Sequence, residues 1–316
     1  MTETVLVTDS DFPDLEIERE LIEEAGADLV NAEAETPEEV IEAARGANVD
    51  ALLVQYARIT REVFEALDLA IVGRYGVGVD SVDIEAANDH DVPVVNVPDY
   101  CEDEVAEHTL ALVLSCIRET ARFDKEVKNG EWDWTVGKPI HRLQDATVGF
   151  VGFGRIPQRL AEKAVGFEFE FLGYDPYRSE SDLADYGVEK VGFEELLSRS
   201  KVVSVHAPLT DETRGLLDRE AFERMGEDSV IVNTARGALI DTEALVNAIV
   251  EGEISGAGLD VLPEEPPEES ALFSLDSVVL TPHVAWYSEE SIVELRETVT
   301  RDVLSVLTGE KPKNPV

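Results

Sequence analysis

Short apolar runs alternate with helical patterns along the first hundred residues. The runs TVLVTD, DALLVQY, LAIVGRYG and VPVVNVPD are apolar at successive positions, as expected of strands that are buried on both faces. Between them, segments such as LEIERELIEEAG and REVFEALD repeat their apolar positions every three to four residues, which predicts amphipathic helices. The alternation predicts a parallel α/β layer over residues 1–100.

A second series of the same kind starts at Thr147. It contains six apolar runs separated by helix-length patterns: TVGFVGFG, FEFLGYD, KVVSVHA, SVIVNTARG, GAGLDVL and SVVLTPH. Six such strands predict a doubly wound, Rossmann-type dinucleotide-binding sheet. The chain is therefore expected to be an α/β protein with two doubly wound parallel-sheet domains, the first of them smaller and flavodoxin-like.

The last helical pattern sets the predicted domain boundaries. It runs from about Glu289 to Thr308 and has no strand left to join in the second sheet. We expect it to return to the first domain, which makes that domain discontinuous. The predicted substrate-binding domain consists of residues 1–100 with 289–316. The predicted dinucleotide-binding domain consists of residues 101–288.

Two segments between the series differ from the rest. Residues 102–121 carry three acids in a first helical turn and are then apolar nearly all round, which predicts a buried crossover helix and a candidate subunit interface. Residues 124–143 lack a period and contain Gly, Pro and two of the three Trp residues. We interpret this second segment as a loop or arm.

Composition narrows the function classes. The 316 residues carry 68 Asp and Glu against 26 Lys and Arg, a formal charge of −42, with 44% apolar residues. That apolar content is ample for a core, so the acids form a coat on a globular protein. Nucleic acid and anionic membranes are disfavoured as partners, because both are bound by clustered basic residues. The coat suggests a salt-adapted protein, since molar salt screens self-repulsion; the alternative is simply a very soluble acidic protein.

The cysteines and the N-terminal sequence bear on the compartment. Cys101 and Cys116 are the only cysteines, too few for a disulfide framework or a four-cysteine metal site, and no metal is expected. The start MTETVLVTDSDF is acidic where a signal peptide would be basic and then apolar. The longest uncharged apolar run, residues 109–117, is far shorter than a membrane span. We expect a cytoplasmic protein.

A dinucleotide fingerprint begins the second series. Gly152 and Gly154 follow an apolar strand and open a helix, and Asp175 ends the next strand. The glycines permit a tight turn against a pyrophosphate, and the acid accepts hydrogen bonds from the adenosine ribose. Pro157 departs from the usual pattern, in which glycine allows close helix–strand packing. Asp175 favours NAD over NADP, because a carboxylate repels a 2′-phosphate, although the nearby Arg178 leaves NADP open.

Three further polar residues lie just beyond apolar strands. They are Arg236 in VNTARG, Glu265 in LDVLPEEP and His283 in VVLTPH. A His beside a carboxylate can hold a proton at neutral pH and deliver it to an alkoxide, while an Arg can bind a carboxylate or polarise a keto oxygen. Together these groups supply the proton donor and the positive charge that reduction of a 2-oxo acid requires. Any one alone could be a loop charge or a capping residue.

The chain resembles the D-isomer-specific 2-hydroxyacid dehydrogenases over nearly its whole length. The resemblance rests on the fingerprint and on RYGVGVDSVD, SVHAPLTDETRGLL, VNTARGALID, LDVLPEEP and TPHVAWYSEES, which occur in that order. It implies a two-domain NAD-dependent enzyme, usually a homodimer that pairs through its NAD domains. NADH would reduce a 2-oxo acid to a D-2-hydroxy acid.

The resemblance also implies roles for individual residues. His283 would be the acid/base, Glu265 would orient it and favour its protonated form, and Arg236 would hold the substrate's carboxylate and keto group. Backbone N–H groups would bind the substrate carboxylate at a turn made of Tyr75, Gly76, Val77 and Gly78. Besides the fingerprint residues, the implied cofactor contacts are Arg155, Ile156, His206, Pro208, Thr213, Thr234, Ala235 and Asp260.

Aromatic residues are the implied substrate-pocket candidates. Tyr100 matches a pocket tyrosine of some lactate-type members, and Trp286 with Tyr287 would suit a larger side chain on the 2-oxo acid. Each could instead pack within the fold.

Two other functions stay open. PDYCEDEVAEHTLALVL and PHVAWYSEES are similar to the branch that includes the C-terminal binding proteins, so the chain could be an NAD(H)-sensing binding protein that resembles a corepressor. It could also resemble 3-phosphoglycerate dehydrogenase. Against that alternative, the pocket segments are poor in basic residues, and the short stretch after Thr308 suggests no added regulatory domain.

Overall fold

The computed structural model describes residues 2–144 and 146–316. The chain divides into two compact units. The first comprises the chain as far as Tyr100 together with Ser288–Val316, and the second is Cys101–Tyr287. In the described ranges no helix combines the length and the apolar character that crossing a membrane requires.

The first unit contains a five-stranded parallel sheet in the order β2-β1-β3-β4-β5. This is the flavodoxin-like order, and it confirms the predicted fold class. The residues of β1 and β3 are buried on both faces, which accounts for their unbroken apolar sequence. Its strands are β1 (Thr4–Val7), β2 (Asp28–Asn31), β3 (Ala51–Val54), β4 (Ile71–Arg74) and β5 (Val94–Val95), and the helices between them are α1 (Glu16–Glu24), α2 (Pro37–Ala47), α3 (Arg61–Ala66) and α4 (Ile84–Asp89).

The second unit contains a seven-stranded parallel sheet in the order β12-β11-β10-β9-β6-β7-β8. Six of its strands follow the order of dinucleotide-binding domains, which confirms the predicted Rossmann-type sheet. Its strands are β6 (Thr147–Val151), β7 (Glu170–Tyr174), β8 (Val188–Lys190), β9 (Val202–Val205), β10 (Val230–Asn233), β11 (Gly256–Leu259) and β12 (Val278–Leu280), and its helices are α5 (Glu102–Ile117), α6 (Thr120–Lys128), α7 (Arg155–Ala164), α8 (Glu180–Ala184), α9 (Phe193–Arg199), α10 (Arg219–Arg224) and α11 (Thr242–Glu251).

Two parts of the second unit differ from the sequence prediction. The edge strand β8 was not predicted, because it is only three residues long and two of them are charged. Residues 124–143 are not entirely a loop: α6 extends to Lys128, and Trp134–Gly137 form a 3₁₀ turn. In α6 the Lys128 ammonium lies 2.6 Å from the Asp124 carboxylate, one turn apart, so charge pairing supports a helix that has no buried face.

The crossover helix α5 is buried along one face. Val105, Leu112 and Val113 are among its buried residues, and the helix packs against α7, β10 and β11. Gly258 in β11 allows this packing, because a Cβ there would meet the Cys116 sulfur at 3.1 Å.

The last helix, α12 (Glu289–Leu307), packs on the first sheet, against α1 and β4. Gly73 in β4 lets the helix approach, since a Cβ there would lie 2.6 Å from the side chain of Val303. A buried ion pair joins the two helices: the Arg296 guanidinium donates to both carboxylate oxygens of Glu18, at 2.9 and 2.6 Å. The Tyr75 hydroxyl donates to the same carboxylate at 3.1 Å.

We expect Arg296→Met to destabilise the first unit by about 3–5 kcal/mol, because it leaves the buried Glu18 carboxylate without its cationic partner. The measurement is the urea unfolding midpoint at fixed KCl. Arg301→Gln is the control, since Arg301 lies on the same helix in an exposed pair with Glu297; its effect should stay below about 0.5 kcal/mol. Equal losses in the two variants would contradict a special role for the buried pair.

Candidate functional site

His283 and Glu265 form a close pair beyond the ends of β12 and β11. The Nδ1 atom of His283 lies 2.6 Å from Oε2 of Glu265. The other carboxylate oxygen, Oε1, accepts a hydrogen bond from the Leu262 N–H at 2.8 Å. The carboxylate is thus held by its own loop while it holds the imidazole, and Nε2 of His283 is the ring nitrogen left for chemistry.

The charge state of Glu265 suits this pairing. Burial acts to raise the pKa of its carboxyl, but the hydrogen bond and charge of His283, the Leu262 N–H and the charge of Arg236 together outweigh burial, so the pKa is lowered. Glu265 is therefore an anion at neutral pH. Its negative charge can stabilise an imidazolium on His283.

Arg236 lies on the loop that follows β10. Its guanidinium donates to the Ala235 carbonyl at 2.7 Å, and Asn233 Nδ2 donates to the Arg236 carbonyl at 2.9 Å. The next residue, Gly237, lies against the loop that carries Glu265: a Cβ there would lie 2.0 Å from the carbonyl carbon of Leu262. This close backbone approach brings the arginine loop beside the glutamate loop, in agreement with the effect of the Arg236 charge on Glu265.

The loop that carries His283 is fixed by a buried aspartate. Asp260 is only 2% exposed. Its carboxylate accepts hydrogen bonds from the Thr281 hydroxyl at 2.6 Å and from the N–H groups of Val284 and Ala285 at 2.9 Å. From the sequence, Asp260 was expected only to contact the cofactor, and its positioning role was not predicted. The one feature that could have indicated this role is a lone acid inside the apolar run LDVL.

The backbone of His283 has an unusual conformation. Its φ is +53°, in the left-handed region that residues other than glycine rarely adopt. The His283 N–H donates to the Asp260 carbonyl at 2.8 Å, and the Trp286 indole N–H donates to the His283 carbonyl at 2.8 Å. Trp286, which the sequence suggested as a pocket residue, therefore also helps to hold the histidine loop.

The glycine fingerprint folds as a tight turn between β6 and α7. Gly152 has a φ of +87°, and a Cβ on it would lie 2.9 Å from the backbone of His206 and Ala207. Asp175 accepts the Phe153 N–H on one carboxylate oxygen at 2.9 Å and the Tyr177 N–H on the other at 2.8 Å. The carboxylate is thus fixed beside the turn, at the place where an adenosine ribose is bound in such domains.

This turn fits a dinucleotide. The N-cap residue of α7 is Gly154, and no side chain caps the helix. A Cβ on Gly154 would meet no described protein atom within 4 Å, so open space lies in front of the helix N-terminus. Unpaired N–H groups at a helix start are suited to a pyrophosphate.

Other predicted cofactor residues lie at the start of α7 and in the segments that follow β9 and β10. Burial lowers the pKa of His206 to about 3, so its imidazole is neutral, and its Nε2 lies 2.8 Å from the Ser204 hydroxyl. Thr213 closes the next turn by donating to the Pro208 carbonyl at 2.6 Å. These bonds give several residues a local structural role, and cofactor contact by Arg155, Ile156, His206, Pro208, Thr213, Thr234 and Ala235 stays a prediction.

The predicted substrate turn lies in the first unit, after β4. The Tyr75 N–H donates to the Val54 carbonyl at 2.9 Å, so it is not available to a substrate. Within residues 2–144 and 146–316, the N–H groups of Gly76, Val77 and Gly78 donate to no protein acceptor. The turn is held from behind, since Val97 N–H donates to the Gly76 carbonyl at 3.0 Å.

Tyr100, the second predicted pocket residue of this unit, is buried and only 8% exposed. A role in a substrate pocket stays a prediction for this residue.

Comparison with known proteins places the chain in a family. The model of the NAD binding domain of D-isomer specific 2-hydroxyacid dehydrogenases matches residues 110–285, more than half of the chain. The chain belongs to this family. The second unit accordingly contains the family's NAD-binding domain, and the expected cofactor class is confirmed.

Individual relatives span different lengths. The chain is 39% identical to a glyoxylate reductase of Pyrococcus furiosus, over 92% of this chain and 89% of the relative. It is also 39% identical to a D-3-phosphoglycerate dehydrogenase of Methanocaldococcus jannaschii, of which it spans only 59%. A Thermus thermophilus protein of known structure is 33% identical and superposes with a TM-score of 0.88 over 99% of both chains.

Substitutions at the two fingerprint glycines should have different effects. Gly152→Ala is expected to destabilise the fold by about 1–3 kcal/mol, because it combines a strained φ with a backbone clash. Gly154→Ala should leave the urea midpoint unchanged and weaken NADH binding by about tenfold or more, because its methyl group enters only the space meant for the cofactor. NADH fluorescence titration and urea unfolding measure the two effects. Unaltered NADH affinity in Gly154→Ala would show that the cofactor does not approach this turn.

Proposed function

We propose that this chain reduces a small 2-oxo acid to the D-2-hydroxy acid with NADH. The observation that carries the proposal is the His283–Glu265 pair, 2.6 Å apart, with the charge of Arg236 beside it. When bound, NADH supplies the hydride that adds to the carbonyl carbon of the 2-oxo acid. The three side chains supply the proton and the positive charge that this addition needs.

His283 is the proposed proton donor. With Nδ1 engaged by Glu265, the proton leaves from Nε2 to the oxygen that becomes the alcohol. The Glu265 carboxylate holds Nδ1 and so keeps the ring oriented during the transfer. In the reverse direction the neutral imidazole accepts the proton from the hydroxyl.

Arg236 is the proposed anchor for the substrate. A guanidinium can bind a carboxylate through two parallel N–H groups, and it can stabilise negative charge that develops on the keto oxygen. The three N–H groups at Gly76, Val77 and Gly78 are the proposed second set of donors to the substrate carboxylate.

NAD is preferred over NADP in this proposal. The Asp175 carboxylate is fixed by backbone N–H groups on both of its oxygens, so it cannot easily turn away from a 2′-phosphate. The Arg178 N–H also donates to Asp175, at 3.2 Å.

A phosphoglycerate dehydrogenase-like activity is the second candidate, and it rests on the similarity to the Methanocaldococcus jannaschii enzyme. A free 2-oxo acid is favoured because the Pyrococcus furiosus glyoxylate reductase matches over most of both chains. The corepressor-like alternative is disfavoured by the presence of the Arg, Glu and His set in one place.

We also propose a salt-adapted homodimer that works in the cytoplasm. The net charge of −42 supports salt adaptation, because such a surface repels itself unless salt screens it. Exposed tryptophans support dimer formation: Trp132 is 89% exposed and Trp134 is 72% exposed on the segment after α6. Large exposed aromatic side chains in one segment are typical of interaction surfaces.

Turnover tests the proton donor. His283→Ala should lower kcat by at least about 10³-fold, while the Kd for NADH changes less than about twofold. Glu265→Gln should lower kcat by less than His283→Ala does, because the amide oxygen can still accept a hydrogen bond from Nδ1 of His283 but carries no negative charge. Near wild-type turnover in His283→Ala would exclude this residue as the proton donor.

A substrate panel tests the reaction class. Oxidation of NADH should be seen with at least one of glyoxylate, pyruvate, hydroxypyruvate, 4-methyl-2-oxopentanoate and phenylpyruvate, and it should be slower with NADPH. Each assay is run in about 0.1 M and about 2 M KCl, and the higher salt should give the higher rate. Phosphohydroxypyruvate is the comparison that distinguishes the second candidate. Absence of turnover with every 2-oxo acid would favour the sensor.

The oligomeric state tests whether the segment that carries Trp132 and Trp134 forms the dimer contact. Light scattering should give twice the mass of the 316-residue chain for the wild type. Trp132→Ser with Trp134→Ser should shift the mass toward the monomer, because they remove exposed apolar area. Tyr177→Ser is the control, since Tyr177 is 87% exposed elsewhere in the second unit. A monomeric wild type at all concentrations would contradict the dimer.

A further inference from the structure

A small cavity lies at the amino-terminal edge of the seven-stranded sheet, opposite the edge that carries His283. Its volume is about 130 Å³. Its walls include residues at or just before the starts of β6, β9, β10 and β11, namely Ala146, Lys201, Val230 and Ser255, and the end of α5. Every wall residue belongs to the second unit.

The charge of this cavity is opposite to that of the chain. Its walls contain Arg122, Lys138, Arg142 and Lys201, together with His141. The acids in the walls are Glu119 and Asp228. The whole chain has 68 acids against 26 Lys and Arg, so a surface with an excess of cations is contrary to its composition.

Lys201 is a half-buried cation, and within residues 2–144 and 146–316 its ammonium makes no ion pair. Its ammonium donates to the backbone carbonyl of Asp228. Burial lowers the pKa of Lys201, and the nearby charge of Asp228 offsets this only in part. The Asp228 carboxylate faces His141 instead, 3.4 Å from its Nε2. A bound anion would supply the negative charge that the ammonium lacks.

The two arginines make few close ion pairs. Arg122 lies 3.9 Å from Glu119, at the far limit of an ion pair, and its charge also acts on Asp276, whose carboxylate pairs closely with Lys125. Burial raises the pKa of Glu119, opposed by the charge of Arg122. Arg142 is exposed, and it makes no ion pair with any residue in the ranges 2–144 and 146–316. Lys138 lies over the Trp134 ring, 4.0 Å from its centre, and its charge also acts on the Asp133 carboxylate.

We propose that this cavity is a site for a phosphate-class oxyanion. Guanidinium groups match the geometry of tetrahedral oxyanions, and Lys201 supplies a further positive charge in the wall of the site. The volume is well below the roughly 300 Å³ of sites for larger organic ligands, so the site takes inorganic phosphate or the phosphoryl group of a small metabolite. It is separate from the pyrophosphate position at Gly154, which lies at the other edge of the sheet.

Calorimetric titration of the full chain with potassium phosphate tests the proposal. NADH is kept saturating so that the dinucleotide turn is filled, and KCl is adjusted to hold the ionic strength constant. The variants are Arg142→Gln and Arg122→Gln. Arg224→Gln is the matched control, because Arg224 is an arginine of the same unit that pairs with Glu194 at 3.1 Å outside the cavity. Arg236→Gln controls for binding at the reaction site.

The expected result is one saturable phosphate site, weakened about tenfold in Arg142→Gln and in Arg122→Gln, which corresponds to one lost charge-assisted hydrogen bond. Arg224→Gln and Arg236→Gln should bind as the wild type does. The proposal is overturned if no saturable binding occurs, if Arg224→Gln is weakened equally, or if only Arg236→Gln loses binding. Circular dichroism checks folding, and if one cavity variant fails to fold, the affinity of the other decides.

Discussion

All strands of the larger sheet run in one direction, and this constraint places the part of the candidate site that lies in the second unit. In a parallel sheet every carboxyl end lies at the same edge. The glycine turn after β6, Asp175 after β7, and the loops after β10, β11 and β12 are therefore neighbours although more than a hundred residues separate the first from the last. The amino ends form the opposite edge, where the cationic cavity lies.

Within that frame, two local devices set the geometry of the reacting groups. Gly237 lets one loop pass against the backbone of another, which brings Arg236 and Glu265 together. Asp260 accepts hydrogen bonds from three groups of the next loop and so holds His283 in its left-handed conformation. A buried carboxylate that is fully hydrogen-bonded is well suited to this task, because breaking any one bond leaves a buried polar group unsatisfied.

Charge is used in different ways in different parts of the molecule. The acidic surface pairs with solvent and exposed basic side chains, and individually these pairs contribute little to stability. Inside the first unit, by contrast, the fully buried Glu18 carboxylate pairs with the Arg296 guanidinium and so links α1 to α12. Breaking this pair would lower the stability strongly, because it would leave a buried charge without its partner. The reaction site uses a third arrangement, in which Glu265 is partly buried and shared between His283 and its own loop.

The order of apolar runs by itself determined the two parallel sheets and placed Arg236, Glu265 and His283 just beyond strand ends, because strand periodicity is a local property. The glycine turn is also local, so the dinucleotide fingerprint could be predicted from the sequence as well. The short edge strand β8 was not predicted, since two of its three residues are charged. Helix α6 was not predicted either, because charge pairing and not an apolar face supports it. Only the tertiary structure decided the role of Asp260 and the hydrogen bond from the Tyr75 N–H to the Val54 carbonyl. It also decided that Arg122, Arg142 and Lys201 lie around one cavity. Those features depend on contacts between residues far apart in the chain, which no local pattern encodes.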